Sequence, residues 1–170
     1  MTTIYLSLGS NVDRHRNITA ALDALADLFG DLNISSVYES KSVGFDGSNF
    51  FNLVVGADTT LSIVELSETL KRIEDNNGRK RNGPKFSPRT LDIDILTYGD
   101  FVGVENDIEL PRAEITKNAF VLLPLAEIAP DVFHPQLEKI YSDLWREYDQ
   151  ASQALWTIIF DWNGKIISQV

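Results

Sequence analysis

The chain contains no cysteine, only two histidines and no long apolar run. Without cysteine it can form neither a disulfide framework nor a thiolate metal site. No stretch approaches the roughly 18 apolar residues of a transmembrane helix. The N-terminus, MTTIYLSLGSN, also lacks the basic and apolar regions of a signal peptide. These absences predict a cytoplasmic protein without a membrane partner.

Several catalytic signatures are also missing. There is no G-x-x-x-x-G-K-[ST] phosphate loop, no H-E-x-x-H zinc motif and no set of residues that suggests a serine–histidine–aspartate triad. His15 and His134 have no metal-ligand spacing, and the sequence predicts surface or loop positions for both. Any phosphate that this chain binds must therefore be held by guanidinium groups and metal ions.

Positive charge is scarce but concentrated. The net charge of −10 argues against nucleic-acid binding, which needs a basic surface. Five of the fifteen lysines and arginines nevertheless fall within one short segment: Arg79, Lys80, Arg81, Lys85 and Arg89. A basic cluster on an acidic protein favours a small polyanion, such as the phosphate tail of a nucleotide.

The length and the hydrophobic pattern predict one domain, residues 1–170, of the α+β class. Strands are predicted at 3–8, 33–40, 50–58 and 90–99, helices at 18–29, 62–77, 118–128 and 143–155, and a C-terminal hairpin around Asn163-Gly164. The first six elements follow the order of a ferredoxin-like split β-α-β-β-α-β sheet. We expect its helices on one face, with the hairpin as an addition.

The segment SPRTLDIDIL (87–96) places two aspartates inside an apolar strand. Asp92 and Asp94 are two residues apart, so they share one face about 7 Å apart, whereas Leu91, Ile93 and Ile95 form the core face. Two carboxylates this close repel each other unless a cation lies between them. Mg²⁺ accepts one or two carboxylates together with substrate phosphates and water. The alternative is a solvent-facing strand edge whose acids aid solubility.

Basic residues flank this pair. Arg89 lies three residues before Asp92, and the preceding loop, 78–88, combines positive charge with two prolines and Phe86. The loop is long enough to act as a lid over a bound nucleotide. A solvated turn is the alternative.

SPRTLDIDIL resembles the signature of the 6-hydroxymethyl-7,8-dihydropterin pyrophosphokinases, enzymes of folate synthesis, with Ser87 in place of the usual glycine. Other segments match the same family in order and at its spacing over about residues 3–135, namely LGSN (8–11), FFN (50–52), RIE (72–74) with Gly78-Arg79, and FVLLPLAEIAP (120–130). The resemblance implies a ferredoxin-like α+β fold. It also implies transfer of pyrophosphate from ATP to the pterin hydroxymethyl group, with release of AMP.

The resemblance further implies an ATP and metal site. Two Mg²⁺ ions would lie between the two aspartates and the triphosphate of ATP, the co-substrate. The implied catalytic residues are Arg79, Arg89, Asp92 and Asp94, and the two aspartates are the implied metal ligands. The implied ATP-binding residues are Lys71, Arg79, Arg81, Lys85, Phe86, Arg89, Ile95, Arg112 and Asn118, with Phe86 where the family usually has tryptophan.

The pterin-binding residues implied in the same way are Ser40, Val43, Phe50, Asn52, Asp92 and Phe120. Asn52 lies in the apolar run FFNLVV, where an amide is costly to bury without partners. A pterin edge offers both donors and acceptors to such an amide. The alternatives are a strand bulge or edge position for Asn52 and a plain core position for Phe120.

Two positions depart from the family. Arg112 stands after Pro111 where histidine is usual, and Asn118 stands where arginine is usual. Arg112 keeps a positive charge but cannot donate a proton at neutral pH, whereas Asn118 has no charge. Two alternatives therefore stay open: a diverged paralogue that binds a pterin or nucleotide without turnover or acts on another substrate, and a kinase or hydrolase that forms ADP or phosphate. In every case the expected partners are small molecules, and a monomer is favoured.

Overall fold

The computed structural model describes residues 1–41, 48–78 and 91–170. The strands in this part of the chain are β1 (Thr2–Ser10), β2 (Asn33–Ile34), β3 (Tyr38–Ser40), β4 (Phe50–Thr59), β5 (Asp92–Tyr98), β6 (Gly103–Glu105), β7 (Ile108–Leu110), β8 (Leu155–Thr157), β9 (Phe160–Trp162) and β10 (Lys165–Ser168). The helices are α1 (Arg14–Phe29), α2 (Ile63–Asn76), α3 (Glu114–Lys117), α4 (Ala119–Ile128) and α5 (Tyr141–Glu147).

A six-stranded sheet forms the centre of the molecule, in the order β5-β1-β4-β3-β8, with β2 also paired to β4. Its strand pairs are antiparallel. The fold is thus a mixed α/β fold built on an antiparallel sheet. The predicted strand 33–40 is divided into β2 and β3, and both parts pair with β4.

Helices α1 and α2 cover one face of this sheet. They bury apolar side chains, among them Ile18, Leu22 and Leu66, against the β1, β4 and β5 side chains of the same face. A capping box starts α2 at the predicted position, because Ser62 Oγ accepts from the Glu65 N–H at 3.1 Å and Glu65 Oε1 accepts from the Ser62 N–H at 2.9 Å. This face holds the larger apolar cluster.

The expectation that the helices lie on one face is wrong. Helices α3, α4 and α5 pack on the opposite face, against Val54 and Leu96. The reason lies in β4, where the six residues from Asn52 to Ala57 are all buried. A strand that alternates between core and solvent buries only every second residue, so this continuous run requires cover on both faces.

The C-terminal region is partly as predicted. Asn163 and Gly164 both have positive φ, 52° and 90°, and join β9 to β10 in a hairpin. The helix predicted at 143–155 is wrong beyond Glu147, because Tyr148 is extended and Leu155 begins β8. The Tyr148 hydroxyl, just past the end of α5, donates to the Lys117 carbonyl at 2.9 Å. No helix in the described ranges is both long and apolar enough to cross a bilayer.

Candidate active site

The two aspartates lie on β5, an edge strand of the sheet. Leu91, Ile93 and Ile95 are at most 5% exposed and face the α1/α2 side, as predicted. Asp92 and Asp94 alternate with them and are partly exposed on the opposite face. The pattern of the motif therefore gives two carboxylates that project together from a rigid strand.

A row of three paired residues extends from Asp92 across the sheet. Asp92 pairs with Gly9 on β1, and Gly9 pairs with Asn52 on β4. Because neighbouring strands are about 4.8 Å apart, the Asp92 and Asn52 backbones are separated by roughly 10 Å on one face. Gly9 has no side chain, so none stands between the carboxylate and the amide, and we refer to this space over Gly9 as the hollow.

Asn52 is fixed in orientation. It is only 6% exposed, and its Nδ2 donates to Ser40 Oγ at 2.7 Å, the one side-chain hydrogen bond that it makes within the described residues. Its Oδ1 leans over Gly9, since a Cβ at Gly9 would lie 3.3 Å from it. The amide is thus held by Ser40 and directed at the hollow. A bulge or edge position for Asn52 is wrong, because β4 is an interior strand that pairs with β1 without a register shift.

Aromatic residues lie on the same face of the sheet, and Phe50 is the one beside Gly9. Phe50 is half-buried, and its Cδ1 would lie 3.8 Å from a Cβ at Gly9. Phe120 is in the first turn of α4, partly buried against the α4/α5 cluster. Tyr38 continues the paired row beyond Asn52, and its hydroxyl donates to Glu127 at 2.7 Å. Burial, followed by this contact with Glu127, raises the pKa of Tyr38 well above its usual value, so its phenol stays protonated.

A cleft of about 220 Å³ runs along the outer edge of β5. Lys71 lines it from α2, Ile95 from β5, and Arg112 from the segment after β7. Arg112 bonds to this edge through its side chain: its Nε donates to the Ile95 carbonyl at 3.1 Å, and its Nη2 lies 3.7 Å from Asp94 Oδ1. Three of the residues assigned to ATP by resemblance therefore share one cleft with the aspartates.

Glu74 is a residue that the sequence analysis missed as part of this site. It is 6% exposed, lines the cleft, and its Oε2 accepts from the Ile93 N–H at 2.8 Å. It thereby satisfies an outward-facing donor of the edge strand, between the two aspartates. The sequence did carry a signal for it. Glu74 follows Leu70 by four residues, and this spacing places its carboxylate on the buried face of α2.

Comparison with known sequences identifies the family of this chain. The profile of the family described as 7,8-dihydro-6-hydroxymethylpterin-pyrophosphokinase (HPPK) matches residues 5–130. This chain belongs to the HPPK family. It is 43% identical over 141 residues to the 2-amino-4-hydroxy-6-hydroxymethyldihydropteridine pyrophosphokinase of Aquifex aeolicus, covering 82% of this chain and 88% of that one. It is 35% identical over 152 residues to the enzyme of that name from Haemophilus influenzae, covering 87% and 94%.

Solved structures agree at the level of the fold. The wild-type Plasmodium falciparum HPPK-DHPS crystallised with SDX-DHP matches with a TM-score of 0.67 and 16% identity over 86% of this chain. The match covers 43% of that chain, so this protein spans less than half of the longer one. At this identity the similarity shows a shared fold, the mixed α/β fold with an antiparallel sheet.

Six of the residues that the HPPK resemblance assigns lie outside the described residues: Val43, Arg79, Arg81, Lys85, Phe86 and Arg89. The lid predicted at 78–88 lies there too, apart from Gly78, which follows α2 with φ 84° as predicted for a helix C-terminus. The described candidates therefore form two groups. Asn52 and Ser40 lie at the hollow beside Gly9, Lys71, Asp94, Ile95 and Arg112 line the edge cleft, and Asp92 belongs to both.

The hollow gives a first prediction, if it takes the pterin as the family resemblance implies. Gly9→Ala should raise the KM for the pterin about tenfold, because its methyl group would press on an Asn52 amide that Ser40 already holds, and such overpacking costs about 1–3 kcal/mol. The KM for ATP should stay within about twofold, since the edge cleft is not touched. Steady-state kinetics with each substrate varied in turn measure both. An equal rise in the two KM values would contradict the assignment of the hollow to the pterin.

Proposed function

We propose that this protein transfers the pyrophosphoryl group of ATP to the hydroxymethyl group of 6-hydroxymethyl-7,8-dihydropterin, releasing AMP, in folate biosynthesis. Membership of the HPPK family, with relatives at 35–43% identity over most of the chain, supports the reaction. The observation that carries it is the juxtaposition of an amide-lined hollow and a carboxylate pair on one sheet face. A pterin in the hollow would present its hydroxymethyl group towards the phosphates held beside Asp92.

The chemistry requires in-line displacement at phosphorus. The oxygen of the hydroxymethyl group forms a bond to the β-phosphorus while the bond from that phosphorus to the α,β-bridging oxygen breaks. AMP leaves with the bridging oxygen, and the hydroxyl proton passes to solvent. The protein contributes mainly by positioning the reactants and by stabilising charge.

The residues present fit a Mg²⁺ site. Asp92 and Asp94 supply carboxylate oxygens, and no group of three or more potential metal ligands occurs within the described residues. The remaining ligands would come from phosphate and water, as Mg²⁺ prefers. The guanidinium of Arg112 already lies 3.7 Å from Asp94, which indicates that this position favours a cation. When bound, Mg²⁺ would neutralise the phosphates and lower the pKa of the attacking hydroxyl. We propose that two Mg²⁺ ions bind, which is the number that the family resemblance implies.

The other residues would orient the substrates. Asn52, fixed by Ser40, would read the polar edge of the pterin, and Phe120 would stack on its ring. Glu74 would keep β5 in place, so that the two carboxylates converge on one point. Lys71, Ile95 and Arg112 would line the ATP site, and we propose that the residues outside the described ranges complete it.

Further proposals concern the whole protein. We propose that residues 1–170 form a single pyrophosphokinase domain, that its strand order is the ferredoxin-like arrangement, and that it acts as a cytoplasmic monomer. Its partners would be ATP and the dihydropterin. The negative net charge of −10 supports the expectation that nucleic acid is not a partner.

Product analysis tests the reaction. The protein is incubated with ATP, Mg²⁺ and the dihydropterin, and we expect AMP and pterin diphosphate in equal amounts. ADP or free phosphate would instead indicate a kinase or hydrolase, and binding without any product would indicate a diverged binding protein. Omitting the pterin is the control, because AMP should then not form.

Asn118 provides a prediction specific to this chain. Asn118→Arg should raise kcat/KM for ATP about ten- to a hundredfold, because a charge-assisted phosphate contact contributes about 1.5–3 kcal/mol. Asn118 precedes α4 and makes no side-chain cap, so the exchange removes no helix cap. Gln153 Oε1 can still accept from the Ala119 N–H at 2.7 Å.

Asn118→Gln is the matched control for this exchange, because it lengthens the side chain without adding charge. Steady-state rates of AMP formation over a range of ATP concentrations measure both variants. A flat or reduced kcat/KM for the arginine variant would mean that Arg112 or Lys117 already contacts the same phosphate. A rise in kcat/KM in both variants would mean that the length of the side chain matters and its charge does not.

A further inference from the structure

A second cavity lies on the same sheet face as the hollow but at the other end of the strands. Its volume is about 680 Å³, within the range of ligand pockets. Its floor is formed by Tyr5 on β1 and Thr97 on β5. Along these strands, Tyr5 is four residues from Gly9 and Thr97 is five from Asp92, a separation of roughly 13–17 Å. The cavity is therefore separate from the candidate active site.

Aromatic rings form much of its wall. Tyr141, the first residue of α5, is 1% exposed and packs edge-on against His134, with ring centroids 6.2 Å apart. Burial raises the pKa of both Tyr5 and Tyr141, so both phenols stay protonated. Phe133 also lines the cavity and is 63% exposed, so its ring is accessible to a ligand.

His134 gives this cavity a fixed hydrogen-bond donor. The residue is only 4% exposed, which corrects the prediction of a surface or plain loop position. Its Nδ1 accepts from the backbone N–H groups of Gln136 and Leu137 at 3.2 and 3.1 Å. Nδ1 is therefore an acceptor, and the proton of the neutral ring is on Nε2. Burial lowers the pKa of His134, which favours this neutral form.

Nε2 has no hydrogen-bond partner within the described part of the chain, and it is not sealed in the core, since His134 lines the cavity. Nε2 is not one of the fully buried atoms that lack a partner, so water can reach it from the cavity, and a ligand that carries an acceptor can replace that water. This observation points to an occupant that carries an acceptor.

The charged groups around the opening have one sign. The carboxylates of Asp100 and Glu138 line the cavity, and no lysine or arginine is among the described residues that line it. Carboxylates beside aromatic rings favour an amino group over an anion. A ligand for this cavity must therefore accept a hydrogen bond from His134, pack against aromatic rings and carry a group that attracts the carboxylates of Asp100 and Glu138.

We propose that this cavity is a second binding site, for a planar aromatic molecule that carries both a ring acceptor and an exocyclic amine. The ring packs against Phe133 and Tyr5, the ring acceptor receives the Nε2–H of His134, and the amine contacts Asp100 and Glu138. This site goes beyond the proposed reaction and does not depend on it.

The probe for this site is 2-aminobenzimidazole, titrated into the full chain and followed by NMR. We expect saturable shifts of the Tyr5, His134 and Tyr141 signals that persist when ATP is present in excess. 2-Methylbenzimidazole, which lacks the amine, should bind about tenfold more weakly. Benzoate, which is an anion, should not bind.

Four variants locate the interaction. Phe133→Ala, Asp100→Asn with Glu138→Gln, and His134→Asn should each weaken the probe about tenfold. In His134→Asn the side-chain oxygen can replace Nδ1 as the acceptor for Gln136 and Leu137, so the loop should be kept while the Nε2 donor is lost. Val104→Ala, at a similarly exposed apolar residue elsewhere (65%), is the control and should not change binding.

Three outcomes would overturn the proposal: no saturable binding, displacement of the probe by ATP or pterin, and equal affinity for all variants. If His134→Asn unfolds, the variants at Phe133, Asp100 and Glu138 still test the proposal. These residues are exposed, so their exchange leaves the core intact.

Discussion

Replacing Asp92 or Asp94 by alanine is expected to lower the rate of AMP formation by about a thousandfold or more while the fold survives. The loss corresponds to about 4 kcal/mol of transition-state stabilisation, which is the scale of a lost metal site. Both side chains project from β5 away from the core, where Leu91 and Ile93 are buried. Rates at saturating ATP and Mg²⁺ and thermal unfolding curves measure the two effects.

The asparagine variants of the same positions separate charge from shape. Asp92→Asn and Asp94→Asn keep the size of the side chain and lose its negative charge, so they should be almost as inactive as the alanine variants. Glu105→Gln in the β6–β7 hairpin is the control, because it removes an exposed carboxylate outside the site. Near-normal activity of either aspartate variant in Mg²⁺ would show that the metal assignment is wrong.

Arg112 makes Asp94 the more informative of the two positions. Its guanidinium lies 3.7 Å from the Asp94 carboxylate in a partly exposed pair, which contributes at most about 1 kcal/mol to stability. Asp94→Asn should therefore change the unfolding temperature only slightly. If Arg112 competes with Mg²⁺ for Asp94, Arg112→Leu should lower the Mg²⁺ concentration that gives half-maximal activity. Asp94→Asn would not show this effect.

The elements that could be predicted from sequence are those whose signals are local. The capping box at Ser62 depends on side chains three residues apart, and the hairpin at Asn163-Gly164 depends on two residues with positive φ. The common face of Asp92 and Asp94 follows from the period of a strand. None of these depends on contacts with distant parts of the chain.

The predictions that failed depended on distant contacts. The second helical layer was missed because α4 was not assigned to the opposite face, although the unbroken burial of β4 requires it. The burial of His134 follows from packing against Tyr141 and from a turn that its ring stabilises, which no short pattern marks. Glu74 was missed because a carboxylate on an apolar stripe is recognisable only once the β5 edge lies beside it.

The pterin assignment gives the second large expected effect. Asn52→Leu should reduce kcat/KM for the pterin by about a hundred- to a thousandfold, because it replaces hydrogen bonds worth about 1–3 kcal/mol each by an apolar group of similar volume. The loss should be specific to the pterin, with the KM for ATP nearly unchanged. Stability should hold, because leucine suits a position that is 6% exposed.

Ser40→Ala tests whether orientation of the amide matters. Ser40 Oγ accepts from Asn52 Nδ2 at 2.7 Å, so its removal frees the amide to rotate without removing it. We expect a loss of about tenfold in kcat/KM for the pterin, smaller than for Asn52→Leu. Asn33→Leu is the control, an exposed asparagine that pairs with the same strand, β4, but lies away from the hollow.

The double variant separates orientation of Asn52 from direct contact between Ser40 and the pterin. If Ser40 acts only by orienting Asn52, adding Ser40→Ala to Asn52→Leu should cost nothing more, and the two losses should not add. Additive losses would mean that Ser40 contacts the pterin itself. A loss in Asn52→Leu that falls equally on the pterin and on ATP would contradict the assignment of the hollow, since an amide one strand beyond Gly9 should not affect the nucleotide cleft at the outer edge of β5.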